Sequence, residues 1–277
     1  MTLTDINRLR LPNPLDLSSR ARMDSSELPT PWFQSWFDDP HYHQLYGHRS
    51  SAEAETFVSA MHEKWGWDQL ELLDLACGKG RHARAAALKG HKVVGMDLSP
   101  NSIAAAKLEH HDVSGLTFKE GDMRDFVLPQ KFDGILNLFT SFGYFSRPKE
   151  HLEVLANVHR HLKPGGFFVL DFLDVHFAQR HLVPNEQLER GGVNYSISRK
   201  LSPADQGGYP TFVKRIAHDT PSGRKEHVER VAALNNEHLS GMMNESGFDI
   251  TGRYGSYALD PWEQGESNRL IIHAKRS

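Results

Sequence analysis

Ser50 followed three residues later by Glu53 reads as a capping box, and behind it Ala54, Phe57, Val58, Met61 and Trp65 recur at i, i+3, i+4, i+7 and i+11. That spacing predicts an amphipathic helix over 51–65. The next apolar run, LELLDLA at 70–76, is continuous rather than periodic and too short for a buried helix; with a glycine turn at its end, it predicts a buried strand. RHARAAALK at 81–89 returns to helical spacing and stops at Gly90. HKVVGMD at 91–97 predicts a second strand, after which Ser99 as N-cap and Pro100 at the first helical position open a helix through NSIAAAKLEHH. LTFKE at 116–120, FDGILNLF at 132–139 and GFFVLDF at 166–172 predict three more strands. Between the last two, a helix near 147–162 puts Leu152, Leu155, Val158 and Leu162 on one face and stops at Lys163-Pro164-Gly165-Gly166.

Strands separated by helices of this length imply βαβ units, hence a doubly wound α/β fold whose sheet is mostly parallel and covered on both faces. The alternation breaks at about 184–233, where NYSISRKL, PTFVKRIAH and GRKEHVERVAAL predict an antiparallel β insertion. A short helix at 236–246 then precedes FDITGRYGSY and RLIIHAKR, whose separation suits an antiparallel edge pair. Upstream, residues 1–29 are polar, hold three prolines and show no period, which predicts a flexible arm. Residues 31–46 crowd Trp32, Phe33, Trp36, Phe37, Tyr42 and Tyr46 together without a clean period, so this block must cover something apolar. The expected organisation is an arm over 1–29, an aromatic lid and helix over 30–66, and a cofactor-binding catalytic domain over 67–277 that carries the insertion.

Composition narrows the function. The 277 residues, 39% apolar and 24% charged, suffice for one domain with an insertion. With 32 basic against 35 acidic residues the chain lacks the basic excess of a phosphate-neutralising protein, so nucleic acid is not the expected partner. The single Cys77 allows no intrachain disulfide, which fits a reducing cytoplasm. No window approaches the roughly 18 apolar residues of a membrane span, and the start has no apolar run resembling a secretory signal. A soluble protein away from the membrane is expected. Among the 17 histidines the densest group is His41-Tyr42-His43 with His48, but no helical His-x3-His pair or nearby cysteine accompanies it, so no metal site is expected.

The sharpest chemical signal is Asp74-Leu75-Ala76-Cys77-Gly78-Lys79-Gly80-Arg81-His82, a strand running through Gly-x-Gly into a helix. Such glycines let backbone approach a ligand, and the amides of the following helix favour an anionic group. Asp97 ends the next strand nineteen residues after Gly78, where a carboxylate can accept hydrogen bonds from both hydroxyls of an adenosine ribose. Gly78-x-Gly80-x-x-Ala83 also satisfies a loose dinucleotide fingerprint, so both readings stand on these residues alone.

The set resembles the class I S-adenosylmethionine-dependent methyltransferases. Their first motif has an acidic residue where Asp74 stands, a position usually apolar in dinucleotide dehydrogenases. Four more stretches match in order: Val93 to Ser99, Gly121 to Phe126, Phe132 to Phe139, and Leu162 to Gly166. The resemblance implies that backbone around Ala76, Gly78 and Asn137, together with the turn at Gly80, holds the methionine part of S-adenosylmethionine, with Asp74 supporting its ammonium. Asp97 would take the ribose, Leu98 and Met123 would sandwich the adenine, and Asp122 would accept its exocyclic amine. It further implies a lid in which Tyr46 or Arg49 meets the methionine carboxylate.

Cys77 is expected to be a small structural residue, Lys79 and Arg81 to face solvent, and His82 to pack in the first helical turn. Nucleic-acid amino methyltransferases typically carry Asn/Asp-Pro-Pro-Tyr/Phe after the fourth strand, whereas this chain has Asn137-Leu138-Phe139-Thr140, which points to a small-molecule acceptor. A sulfonium is already an activated methyl donor, so a general base is optional; His43, Tyr144 and His176 are its candidates. Two other classes compete: a different enzyme on the same scaffold, such as an aminopropyl transferase or a NAD-linked oxidoreductase, and a catalytically silent cofactor-binding protein. The oligomeric state is not encoded in any of these signals.

Overall fold

A computed structural model describes residues 31–47, 50–204, 208–221 and 223–277. The expected arm over 1–29, together with His48 and Arg49, lies outside the described residues. The aromatic block forms two short helices, α1 (Trp32–Phe37) and α2 (Pro40–Tyr46). With six and seven residues they are too short to write a period into the sequence; Asp39 caps α2 by accepting from the His41 amide at 2.8 Å, with Pro40 at the first helical position. Helix α3 (Ser51–Trp65) follows, capped by Ser50 and closed at Gly66 in the left-handed conformation.

The alternating stretch gives β1 (Glu71–Leu75), α4 (Arg81–Leu88), β2 (Lys92–Asp97), α5 (Pro100–Glu109), β3 (Leu116–Glu120), β4 (Phe132–Asn137), α6 (Pro148–His161) and β5 (Leu162–Leu173). After α7 (Val175–Arg180), which the pattern did not suggest, come β6 (Asn185–Arg190), β7 (Val193–Ser202), β8 (Thr211–Thr220) and β9 (Gly223–Ala232), then α8 (Asn236–Glu245), β10 (Phe248–Tyr254) and β11 (Arg269–Arg276).

Seven strands form one sheet in the order β10-β11-β5-β4-β1-β2-β3. From β1 the chain steps outward to β2 and β3, then returns to place β4 on the other side of β1, with Leu73 opposite both Val94 and Ile135. Strand order reverses there, and the crevice beyond the carboxyl ends of β1 and β4 is where such sheets bind ligands. The closing pair is not simply an edge: β11 inserts between β5 and β10 and runs antiparallel to both. Burial explains the placement, since Leu270, Ile271, Ile272 and Ala274 are almost wholly covered and need neighbours on both sides.

The second sheet is antiparallel, β6-β7-β8-β9, with a first strand beyond the three runs visible in the sequence; β6 (NEQLER) is polar and largely exposed, so it lacks an apolar signature. Two core layers sandwich the large sheet. Phe132, Phe168, Phe172 and Phe248 pack on one side with α6 and α8, and Phe57, Met61, Leu72 and Val93 pack on the other with α3 and α4. A third cluster joins Trp36 and Leu45 of α1 and α2 to Tyr195, Ile197 and Ile216 of the second sheet. The aromatic block therefore covers the insertion as well as the crevice.

Candidate active site at the ends of β1, β2 and β4

Beyond Leu75 the chain passes Ala76, Gly78 and Gly80, all at positive φ (62°, 56° and 81°). Gly80 is the N-cap of α4 and offers no side chain; a Cβ there would meet the Phe118 ring at 2.5 Å. The capping function passes to Asp74, whose carboxylate accepts the amide of Ala83 in the first turn of α4. Asp74 is 1% exposed and its Oδ2 has no partner among the described residues. Burial pushes this carboxyl up to about 7, with the nearby Asp97 charge adding to the effect.

Asp97 ties the two glycine-side loops together. Its Oδ2 accepts from the Gly78 amide at 2.8 Å and its Oδ1 from the Ser99 amide at 2.9 Å. Each oxygen keeps a lone pair for a further donor. Burial raises its pKa, while the amides of Ser99, Gly78 and Leu98 oppose that rise. At Gly78 an added Cβ would meet nothing within 4 Å, so that side of the loop opens onto space. Asp122 is held differently: Arg124 clamps it with Nε at 3.1 Å and Nη2 at 2.6 Å, and bridges on to Glu150 at 2.9 Å. Burial would raise Asp122, but the Arg124 side-chain and backbone hydrogen bonds outweigh it and the pKa falls.

After β4 the chain enters a turn that sequence reasoning missed. Phe139 and Thr140 are consecutive non-glycine residues at φ 63° and 57°, a costly conformation that needs an external clamp. The clamp is Asp171 of β5, wholly buried: its Oδ2 accepts the Phe139 amide at 2.7 Å, and its backbone oxygen accepts the Thr140 amide at 2.9 Å. Arg269 pairs with the same carboxylate at 2.5 Å, and the Tyr257 hydroxyl donates to it at 3.2 Å. The one signal in the sequence is an aspartate inside the apolar run GFFVLDF, which periodicity alone assigns simply to a strand. Tyr257→Phe removes one of three hydrogen bonds to this carboxylate and is expected to lower unfolding stability by about 0.5–1.5 kcal/mol without unfolding the protein, read by urea denaturation.

Glycine loop, Asp97, Asp122 and the strained turn surround one cavity of about 440 Å³, roofed by Phe33 and Phe37 of α1 and by Tyr42, His43 and Tyr46 of α2. The roof is pinned at two points. Asp38 accepts from Ser99 Oγ at 2.6 Å and from the Asn101 amide at 3.0 Å, beside Asp97. Glu229 of β9 accepts from Trp36 Nε1 at 2.8 Å and from the Tyr46 hydroxyl at 2.7 Å.

The cavity brings together Tyr46, Asp74, Ala76, Gly78, Asp97, Leu98, Asp122 and Met123, with His43 and Tyr144 from the base candidates. Three expected residues are elsewhere. Gly80 stands behind the loop against Phe118, because its role is the turn itself. Asn137 is 1% exposed beneath the floor, where its Nδ2 donates to the Leu75 carbonyl at 3.0 Å and joins β4 to β1. His176 lies on α7 beside Gln179, Arg180 and Gly265, on a separate surface depression. Arg49 lies outside the described residues. Tyr46 reaches the cavity with its ring, but its hydroxyl is engaged with Glu229 and Lys214. Lys79 is exposed at the cavity's edge, as expected, whereas Arg81, also expected in solvent, is half-buried on the cavity wall, lies over the Phe139 ring at 4.5 Å and pairs with Glu53. The thiol of Cys77 is buried, and burial pushes its pKa up, so it is a packed small residue. Among the described residues no group of three or more His, Cys, Asp or Glu is placed to hold a metal ion, and no helix is long and apolar enough to cross a membrane.

The donor set fits S-adenosylmethionine: a buried, unpaired Asp74 oxygen for a cation, a loop open at Gly78, and Asp97 with acceptor capacity left. Residues 72–166 match a family described as a methyltransferase domain. The dTDP-3-amino-3,4,6-trideoxy-alpha-D-glucopyranose N,N-dimethyltransferase of Streptomyces venezuelae is 35% identical over 100 residues, covering 36% of this chain and 41% of its own. The chain thus spans less than half of that relative. The cypemycin N-terminal methyltransferase of Streptomyces sp is 28% identical over 214 residues, covering 74% of this chain and 83% of its own. In fold, the CcbJ methyltransferase from Streptomyces caelestis superposes with a TM-score of 0.73 over 88% of this chain and 99% of that one, at 17% identity. The matched residues begin on β1 and end in the first residues of β5, so they enclose the glycine loop, Asp97, Asp122 and the turn after β4. Over residues 72–166 the chain thus matches a methyltransferase domain, and its fold is that of S-adenosylmethionine-dependent methyltransferases of known structure.

Proposed function

We propose that the protein transfers the methyl group of S-adenosylmethionine to the nitrogen of a small-molecule amine held beneath the aromatic roof. The observation that carries this reading is the two-sided cavity. One side presents three carboxylates, Asp74, Asp97 and Asp122; the other presents the rings of Phe33, Phe37, Tyr42, Tyr144 and Phe145. The cofactor supplies an electrophilic methyl on a sulfonium, so the protein's work is mainly binding, alignment and exclusion of water. Asp97 holds the ribose hydroxyls and Leu98 and Met123 flank the adenine. Asp74 pairs with the methionine ammonium, while the α1–α2 roof keeps water from the reacting atoms.

An amine is favoured because one sequence relative is an amino-sugar N,N-dimethyltransferase and another an N-terminal methyltransferase. An apolar, ring-lined wall suits a small organic acceptor better than a nucleic acid, whose phosphates would find no basic track. The experiment is methyl-tritiated cofactor with a panel of nucleotide-linked amino sugars, short peptides with free N-termini, and their hydroxyl counterparts. Label in the amines alone supports the reading. Label confined to hydroxyl compounds overturns nitrogen as the acceptor, and binding of decarboxylated or nicotinamide ligands in place of S-adenosylhomocysteine overturns methyl transfer itself.

A further inference from the structure

Asp74, Asp97 and Asp122 are assigned to the cofactor, and the remaining carboxylate on the cavity wall, Glu109, is exposed at the end of α5. The hydroxyl of Tyr144 is spent on the Thr140 carbonyl and that of Tyr46 on Glu229, so His43 is the side chain under the roof best placed to receive a proton from an incoming ammonium. It projects from α2, which is fixed on several sides: Gln44 Nε2 donates to the Arg190 and Gly191 carbonyls at 2.9 Å, and Tyr46 reaches Glu229. Two residues earlier, His41 turns to the second sheet and meets the Tyr195 hydroxyl at 3.1 Å, whereas His43 lines the cavity. Its Nε2 is buried and has no hydrogen-bond partner among the described residues. The other histidines on the cavity wall do not offer this. His110 shares its Nε2 with the Lys79 carbonyl at 3.0 Å, and His82, driven down to about 3 by burial and by Arg81 and Arg269, is too weak a base at neutral pH.

We propose that His43 Nε2 accepts the proton of the acceptor ammonium and so acts as the catalytic base; this rests on the amine reading above. The ammonium N–H bond breaks toward Nε2, and the freed lone pair forms the new N–C bond. The C–S bond breaks with its pair passing to sulfur, which leaves a neutral thioether and a methylated ammonium. The imidazolium then returns its proton to solvent. Burial lowers the His43 pKa and the Lys79 charge lowers it further, while Asp38 and Asp39 of the roof pull it back up; among the described residues these are the charged groups that act on it. The ring is therefore neutral and able to accept a proton at pH 7.

The test uses His43→Gln in the full chain. S-adenosylhomocysteine affinity by calorimetry is expected to stay within about threefold, while methyl transfer to an amine that the parent methylates falls by about 100-fold or more at pH 7. The acid limb that His43 sets in the kcat/KM profile is replaced in the variant by one set by the amine's own pKa, at higher pH. In the parent, ring NMR of His43 with S-adenosylhomocysteine bound shows a neutral imidazole at pH 7 that titrates below 6.5. An unchanged rate and acid limb in His43→Gln overturn the proposal. So does a loss of cofactor-product affinity as large as the loss of rate, which makes His43 a cofactor contact, or an imidazole charged at pH 7. A parent that binds S-adenosylhomocysteine yet methylates no amine of the panel overturns the amine reading, and the base assignment with it.

Discussion

Asp97→Ala is expected to bind S-adenosylhomocysteine more weakly than the parent by about 2–4 kcal/mol, or roughly 30- to 800-fold in Kd. Two losses contribute. The ribose hydroxyls lose a charged acceptor, and the Gly78 and Ser99 amides, held by this carboxylate at 2.8 and 2.9 Å, lose the tie that fixes the glycine loop against the end of β2. Asp97→Asn separates them: an amide oxygen can still accept one bond, so this variant should fall between parent and alanine. Calorimetry with S-adenosylhomocysteine, alongside circular dichroism to show that the fold persists, decides the matter. Parent-like affinity in folded Asp97→Ala would leave Asp97 as a loop tie without a ligand role.

Much of this site was legible because its residues sit where local rules already restrict the chain. Gly78, Gly80 and Asp97 stand at strand ends, where turn chemistry and burial leave few residue types, and the structure puts all three at the β1–β2 junction. Asn137 was expected to act through the backbone around it, and Leu138 and Phe139 just after it do line the cavity, although its own side chain does not. A residue inside a buried strand spends its side chain on the neighbouring strand, here the Leu75 carbonyl, before it can reach a ligand. His176 failed for another reason: a loop that follows a sheet strand can leave the crevice, and α7 takes it to a separate surface depression.

The Asp171–Arg269–Tyr257 clamp was beyond the sequence because its partners are 86 to 98 residues apart and meet only when β11 pairs with β5. The helical state of the aromatic block was hidden by length, since one to two turns cannot display a repeat. Its contact with β9 runs through Glu229 and through His227, whose ring stacks on Trp36 at 4.0 Å, in a strand that reads as polar and exposed.

Asp74→Asn is expected to move stability and binding in opposite directions. The carboxyl is buried and its pKa is raised from 3.8 to about 7. Below 3.8 it is neutral in folded and unfolded chains alike, so its stabilising contribution is fully present there. As pH rises the unfolded chain ionises first, and that contribution is lost progressively until the folded pKa is passed, a total of about 4 kcal/mol. A neutral amide escapes this loss. The ligand-free variant should therefore unfold at higher urea than the parent at pH 8, with the difference shrinking toward pH 4. Binding reverses the sign. A cofactor ammonium beside Oδ2 favours the ionised carboxylate, so the parent's affinity for S-adenosylhomocysteine should climb up to about tenfold per pH unit until pH 7 and then level off. The variant should bind more weakly and lack that Asp74-linked rise. Urea melts and calorimetry at pH 5, 6, 7 and 8 measure both. A destabilised variant with unchanged affinity would reduce Asp74 to the cap it provides for Ala83, with no part in holding the ligand's charge.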